Sequence, residues 1–104
     1  MINVKQDTPI IFAGDTTKIT MEYRTFAKEY ADPEEEITIN FYEYATNLRI
    51  GTNDDVQPTR VSAGIYTYFY TVPMVTDGNL VIEIITKLEG YPIVARKILP
   101  VKWV

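Results

Sequence analysis

Apolar and polar side chains alternate with a period of two along most of this chain, and that pattern constrains its fold more than any other feature. Successive side chains of a β-strand point to opposite faces, so such a segment predicts a strand buried on one side. Three segments show the pattern, with apolar positions at Ile19, Met21 and Tyr23, at Ile37, Ile39 and Phe41, and at Leu80, Ile82 and Ile84. The composition agrees, because 35 residues are Val, Ile or Thr and only 10 are Ala or Leu.

Turn-forming residues separate these segments at short intervals. They are Gly14-Asp15, Asp32-Pro33, Gly51 to Asp55, Ala63-Gly64, Asp77 to Asn79 and Glu89-Gly90. Shorter strands are predicted at Ile2–Lys5 or Pro9–Phe12, at Leu48–Ile50 and at Thr59–Val61, with a final strand from Ile93 to Leu99 that Pro100 ends. The segment from Thr25 to Ala31 is predicted to be a long connection. About seven antiparallel strands with regular turn signals predict one all-β sandwich domain over residues 1–104.

Cysteine and histidine are both absent, which excludes disulfides, thiol catalysis, histidine triads and metals held by Cys or His. Ser62 is the only serine and has no histidine to activate it. A net charge of −4 is a poor match for the phosphates of nucleic acids. No apolar run approaches the roughly 20 residues that span a bilayer. We therefore expect no enzyme activity, no cofactor, no nucleic acid and no membrane partner.

Acidic residues cluster at Asp32–Glu36 and at Asp54-Asp55, and carboxylate oxygens are the ligands that calcium prefers. Neither cluster has the alternating Asp-x-Asp-x-Asp-Gly spacing that wraps a loop around calcium, so we interpret both as solvated loops without a metal. Apart from Glu43, every carboxylate is expected in a loop or on an exposed strand face.

Three stretches of the chain carry a family resemblance. They run from Phe26 to Pro33 and on through Ile37 to Tyr42, from Val61 to Pro73, and from Asp77 to Ile82. Together they resemble strands of the immunoglobulin-like domains of bacterial surface proteins and bacteriophage structural proteins, over residues 15–101. The cysteine pair of antibody-type domains is absent and Trp103 lies at the C-terminal end, which favours a bacterial or viral variant. The resemblance implies an immunoglobulin-like β-sandwich, a fold that hosts many unrelated functions.

The strand that begins at Ile65 has two possible registers. One places Tyr66, Tyr68 and Tyr70 inward with Val72, their hydroxyls reaching water or a backbone carbonyl at the rim of the sandwich. The other buries Ile65 and Phe69 and exposes the three tyrosines. The family pattern favours the first.

An aromatic and apolar group is the candidate interface. Tyr42 and Tyr44 are expected on the outer face of one sheet, where the neighbouring strand adds Val81 and Ile85. Exposed patches of this kind often mark interfaces. Two alternatives stay open: Leu48, Trp103 or the terminal segments cover the patch within the same chain, or the aromatic rings form a platform for sugars.

The C-terminal segment from Ile98 to Val104, which carries Trp103, is unusually hydrophobic for a free tail. It either completes the last strand and packs on its own domain, which we favour, or docks on a neighbouring subunit by strand addition.

These observations lead to an expectation of a non-enzymatic structural or interaction module, most specifically a small virion protein of a bacteriophage. Its partner would be a protein, either a second copy or another virion protein, and the N-terminus shows no secretory signal, so assembly in the host cytoplasm is expected. The alternative is a carbohydrate- or cell-wall-binding module of a larger surface protein, placed outside the cell.

Overall fold

The computed structural model describes residues 1–7, 10–46, 48–50, 57–73 and 78–102. Within these ranges nine strands form: β1 (Ile2–Gln6), β2 (Ile11–Phe12), β3 (Thr16–Tyr23), β4 (Thr38–Glu43), β5 (Thr59–Ser62), β6 (Ile65–Thr71), β7 (Leu80–Leu88), β8 (Tyr91–Leu99) and β9 (Val101–Lys102). Seven of them have four residues or more, as the sequence predicts. Over the same ranges, no helix of the length and apolarity needed to cross a bilayer occurs.

Two antiparallel sheets divide these strands. One sheet has the order β1-β3-β6-β5 and the other the order β4-β7-β8, while β2 and β9 form a short parallel pair. A four-stranded and a three-stranded sheet in this connectivity make the immunoglobulin-like arrangement. The predicted fold class, an all-β sandwich of this kind, is therefore confirmed.

The core lies between the two sheets and contains the predicted inward positions. Ile19, Met21 and Tyr23 of β3 have no exposed surface, and the alternating residues of β4 and β7 pack against them. The latter are Ile39, Phe41, Leu80, Ile82 and Ile84. The period-two pattern thus identified both the strands and their buried faces.

Strand β6 adopts the register that places its tyrosines inward. Tyr70 is buried and its ring stacks on Phe41 with the centroids 3.7 Å apart, whereas Phe69 is 66% exposed on the other side. Burial raises the pKa of Tyr70 to about 12. The Tyr66 hydroxyl donates to the Asp32 carboxylate at 3.2 Å, where the sequence suggested water or a backbone carbonyl.

Three predicted strand positions need correction. Leu48–Ile50 forms no strand, because only one bridge, between Tyr42 and Arg49, joins it to β4. Ile2–Lys5 and Pro9–Phe12 were alternatives, yet both regions contain a strand, β1 and β2. Strand β8 begins at Tyr91 and not at Ile93, since a two-residue turn at Glu89-Gly90, with φ of 53° and 79°, brings Tyr91 directly opposite Leu88.

The connection after β3 is fastened to the turn between β5 and β6. Gly64 has a φ of +74°, and a Cβ there would lie 2.7 Å from the carbonyl oxygen of Tyr23. Asp32 accepts a hydrogen bond from the Gly64 amide and pairs with Arg60, which neutralises the carboxylate on the connection. Glycine is therefore required where the connection and the turn meet.

The C-terminal segment packs on its own domain as far as the structure describes it. Leu99 and Val101 are buried, and β9 pairs with β2 through bonds from Ile11 N to Pro100 O and from Ala13 N to Lys102 O, each 2.9 Å. The expectation that this segment packs on its own domain is confirmed up to Lys102. Trp103 lies outside the described residues.

Candidate interaction surface

The outer face of the three-stranded sheet brings together most of the residues that the sequence predicted as an interface. Tyr42 of β4 pairs with Val81 of β7, and four residues along the same pair of strands, on the same face, Thr38 pairs with Ile85. Tyr44 follows directly after β4 and is 55% exposed. Trp103, the fifth predicted residue, falls outside the described part of the chain.

Strand β8 extends this surface beyond the prediction. Ile98 pairs with Val81, and Val94 pairs with Ile85, so both lie on the same outer face. They are 43% and 51% exposed. Their alternation with Arg96 along β8 was visible in the sequence, but assigning them to this face required the pairing with β7. We call the set Tyr42, Tyr44, Val81, Ile85, Val94 and Ile98 the outer apolar face.

The outer apolar face is not buried by Leu48, because Tyr44, Val94 and Ile98 keep 55%, 51% and 43% of their surface exposed. The C-terminal segment, through Lys102, instead pairs with β2. In the N-terminal segment, β1 pairs with β3 of the other sheet. Leu48 and the described parts of both terminal segments therefore leave the face open, and Trp103 is not among the described residues.

A polar row crosses the middle of the outer apolar face and corrects one expectation. Glu83 of β7 was expected on an exposed strand face, yet only 6% of its surface is accessible. Asn40 pairs with it on β4 and Arg96 pairs with it on β8. Asn40, Arg96 and Tyr42 cover the carboxylate, so Glu83 is buried although it occupies an outward position of β7.

The Glu83 carboxylate accepts hydrogen bonds from all three neighbours. Its Oε1 atom accepts from Asn40 Nδ2 at 3.1 Å and from the Tyr42 hydroxyl at 3.3 Å. Its Oε2 atom accepts from Arg96 Nε at 2.7 Å. Each of the three strands contributes at least one member, so the network ties the sheet together across its width. We call these four side chains the Glu83 cluster.

Opposing effects set the protonation of Glu83. Burial alone would raise its pKa, but the hydrogen bond from Asn40, the bond and charge of Arg96 and the bond from Tyr42 outweigh burial. The pKa of Glu83 therefore ends below its ordinary value, and the carboxylate is ionised at neutral pH. The cluster thus holds a buried negative charge paired with one positive charge.

An open depression of about 420 Å³ lies over this cluster, lined by Tyr42, Val81, Glu83 and Arg96. Arg96 forms its outer wall, since 65% of its side chain is exposed while its Nε atom binds the carboxylate. The depression combines an aromatic ring, an aliphatic side chain, a guanidinium and a carboxylate within one small area.

The outer face of the four-stranded sheet is different in character. Its outward positions include Thr16, Thr20, Thr67 and Thr71, together with Lys18 and Glu22. Among the described strands of that sheet, Phe69, beside Lys18, and Val61 of β5 are large apolar residues with exposed side chains. The contrast between the two faces identifies the three-stranded sheet as the more apolar outer surface of the sandwich.

The acidic run Asp32–Glu36 fastens loops within the chain. Asp32 binds Arg60, and Glu34 Oε1 accepts the Gly90 amide at 2.6 Å. Glu35 lies 3.8 Å from Lys87. Among the described residues no group of three or more acidic, His or Cys side chains is arranged to hold a metal ion. The second acidic pair, Asp54-Asp55, lies outside the described residues.

Comparison with known proteins identifies the fold. The chain matches no protein-family model and no curated protein sequence. Among solved structures it is similar to the Lin-41 filamin domain, with a TM-score of 0.64 and 13% identity over 97% of this chain and 91% of that one. It is also similar to the N-terminal Ig1-2 module of the Drosophila receptor protein tyrosine phosphatase DLAR, with a TM-score of 0.54 and 9% identity over 99% and 50%.

A third similar structure comes from a bacterium. It is a DUF4785 family protein from Legionella pneumophila, with a TM-score of 0.62 and 13% identity over 98% of this chain. The chain spans only 28% of that protein's length. At these identities the likeness concerns the fold, and it establishes an immunoglobulin-like β-sandwich.

Proposed function

We propose that this protein is a non-enzymatic interaction module that binds a second copy of itself through the outer apolar face. The observation that carries the proposal is the row of apolar side chains that continues across all three strands, ending in Val94 and Ile98 on β8. Burial of exposed apolar surface is the main favourable contribution to protein association. The outer face of the opposite sheet carries mainly threonines and charges, with Phe69 as an isolated exposed apolar side chain between them.

The charges at the centre of the face support a contact between identical copies. Glu83 and Arg96 neutralise each other within one protomer, so two such faces meet without net repulsion. In an isologous contact the same patch is used by both partners, and a face with a neutral centre satisfies this condition.

The size of the face limits the strength of the contact. With strands about 4.8 Å apart and a rise of about 3.3 Å per residue, three strands over six residues cover roughly 300 Å² in projection. Stable interfaces bury about 800 Å² on each partner. Self-association through this face alone is therefore weak and depends on concentration, as suits a protein held at high local density inside a larger assembly.

A bacteriophage virion, put together in the host cytoplasm, is the assembly we propose. The support for this setting is the likeness of the sequence segments 26–42, 61–73 and 77–82 to bacteriophage immunoglobulin-like domains. Other virion proteins are then further partners of the same face. The net charge of −4 suits a protein contact better than a contact with nucleic acid.

Sedimentation at a series of protein concentrations tests the self-association. The wild-type mass is expected to rise above 11.9 kDa as concentration increases. Val94→Lys places a charge among the apolar side chains of the face, on its edge strand β8, and is expected to keep the protein monomeric. Phe69→Lys is the matched control, because it also replaces an exposed apolar residue by lysine, but on the other sheet.

A wild-type mass that stays at one protomer over the whole concentration range would overturn the proposal. So would association that survives Val94→Lys and disappears in Phe69→Lys, since the contact would then lie on the four-stranded sheet.

A further inference from the structure

We propose that the depression over the Glu83 cluster binds a neutral sugar ring, that is, a hexopyranose unit of a glycan. This site goes beyond the protein contact proposed above and does not require it, but it lies within the same outer apolar face, so a sugar and a second copy compete for Tyr42 and Val81. Its walls come from all three strands: Tyr42 from β4, Val81 and Glu83 from β7, and Arg96 from β8.

The hydrogen-bonding capacity of the cluster suits hydroxyl groups. A carboxylate accepts about four hydrogen bonds, and the three described contacts of Glu83 leave one acceptor position on Oε2. A guanidinium has five N–H donors, of which the Nε–H of Arg96 is directed at Glu83. A sugar hydroxyl both accepts and donates, so one hydroxyl can accept from Arg96 and donate to Glu83.

The charge balance of the site favours a neutral ligand. Glu83 and Arg96 are 2.7 Å apart and cancel each other, so the depression has no excess charge to attract an anion or a cation. A charged ligand would have to compete with this existing pair. A polyhydroxylated neutral ring gains hydrogen bonds without breaking it.

The remaining walls and the size of the depression fit a sugar ring. Tyr42 and Val81 supply apolar surface for the C–H groups of a pyranose. The volume of about 420 Å³ lies within the range of about 300 to 1,000 Å³ typical of small-molecule sites.

The site is also organised before any ligand arrives. Glu83 is buried and held by donors from the neighbouring strands, so little side-chain entropy is lost when a ligand binds. Because the depression is open and a sugar ring has few atoms, the expected dissociation constant is on the order of 1 mM.

Titration with methyl hexopyranosides, followed by ¹⁵N-resolved NMR of the whole chain, tests the proposal. The gluco, galacto and manno isomers are added separately, and the Arg96 Nε–H resonance is followed with the backbone amides. At least one isomer is expected to give saturable shifts confined to β4, β7 and β8 around the depression. Glucuronate and glucosamine, the charged relatives, are expected to bind more weakly.

Variants link the shifts to the cluster. Glu83→Gln is expected to weaken binding about tenfold or more, because hydrogen bonds to charged groups contribute most. Arg96→Lys, at an exposed position, serves if Glu83→Gln does not fold, and it is expected to weaken binding because the fork of donors is lost. Phe69→Ala, on the other sheet, is the matched control and is expected to leave binding unchanged.

Absence of saturable shifts with every neutral isomer would overturn the proposal, as would shifts located away from the depression or equal binding by the Arg96→Lys variant. Tighter binding of a charged sugar would also overturn it, because neutrality is part of the argument. The titration is repeated on Val94→Lys, so that loss of self-association and loss of sugar binding are observed separately.

Discussion

Removing Arg96 is expected to destabilise the protein more than removing Glu83, although Arg96 is the more exposed partner. Arg96→Ala leaves the Glu83 carboxylate buried and without its cation. Breaking a buried ion pair costs about 3 to 5 kcal/mol, and we expect about 2 kcal/mol here because Asn40 and Tyr42 still donate to the carboxylate.

Glu83→Leu leaves a different situation behind. The hydrogen bonds of Asn40 and Tyr42 to the carboxylate are lost, whereas the largely exposed Arg96 guanidinium exchanges its bond to Glu83 for bonds to water. We expect a cost of about 1 kcal/mol. The double variant should cost about as much as Glu83→Leu alone, which corresponds to a coupling free energy of about 2 kcal/mol between the two side chains.

The dependence on pH gives the same reasoning a second test. In the wild type the pKa of Glu83 is lower in the folded than in the unfolded chain, so the ionised carboxylate stabilises the fold at any pH above its pKa in the unfolded chain. This stabilisation is lost as the pH falls through the lower pKa of the folded state. Without Arg96, burial is expected to raise the pKa of Glu83 above that of the unfolded chain. The cost of Arg96→Ala is then largest at neutral pH and shrinks as the pH falls through the raised pKa.

Urea unfolding followed by far-ultraviolet circular dichroism measures these free energies at neutral and at mildly acidic pH. Equal costs for the two single variants, or a cost of Arg96→Ala that does not change with pH, would refute the assignment of Glu83 as a buried, ionised carboxylate.

Three further outcomes are expected from other parts of the fold. Gly64→Ala should destabilise the protein by about 2 kcal/mol in urea unfolding, since the new Cβ meets the Tyr23 carbonyl oxygen at 2.7 Å and φ is +74°; an unchanged midpoint would contradict this. The hydrogen bond from Arg60 lowers the pKa of Asp32, so the ionised carboxylate stabilises the fold above the ordinary carboxyl pKa, and this stabilisation is lost as the pH falls through the lowered pKa. The Asp32→Asn variant should therefore lose less stability on acidification than the wild type, and equal losses would exclude this role. In an ultraviolet titration the Tyr70 phenol should ionise at about pH 12 or on alkaline unfolding. Tyr70→Phe should reduce the late step by one phenol, since the buried Tyr23, whose pKa is also raised, still ionises at high pH; an unaltered titration would contradict this.

The strands and their buried faces were predictable because each depends on the order of residues along one segment. Ile19, Met21 and Tyr23 alternate with polar residues, and burial follows directly from that spacing. The register of β6 did not follow from alternation, because Ile65 and Phe69 on one face and the three tyrosines on the other are both apolar sets, and the family pattern decided between them.

The burial of Glu83 was not predictable in the same way. Its position in β7 is that of an outward residue, and Asn40 and Arg96 cover it only because β4 and β8 pair with β7 in one particular register. Register is set by contacts between segments, which the alternation within one strand does not contain. The contributions of Val94 and Ile98 to the outer apolar face were missed for the same reason.

The parallel pairing of β2 with β9 has a mechanical consequence. Tension applied to the chain before Ile11 and after Lys102 pulls these two strands in opposite directions along their length. The bonds from Ile11 N to Pro100 O and from Ala13 N to Lys102 O are then loaded together, in shear, and not broken one after the other. This small patch therefore acts as a clamp that resists stretching while the buried core behind it stays intact.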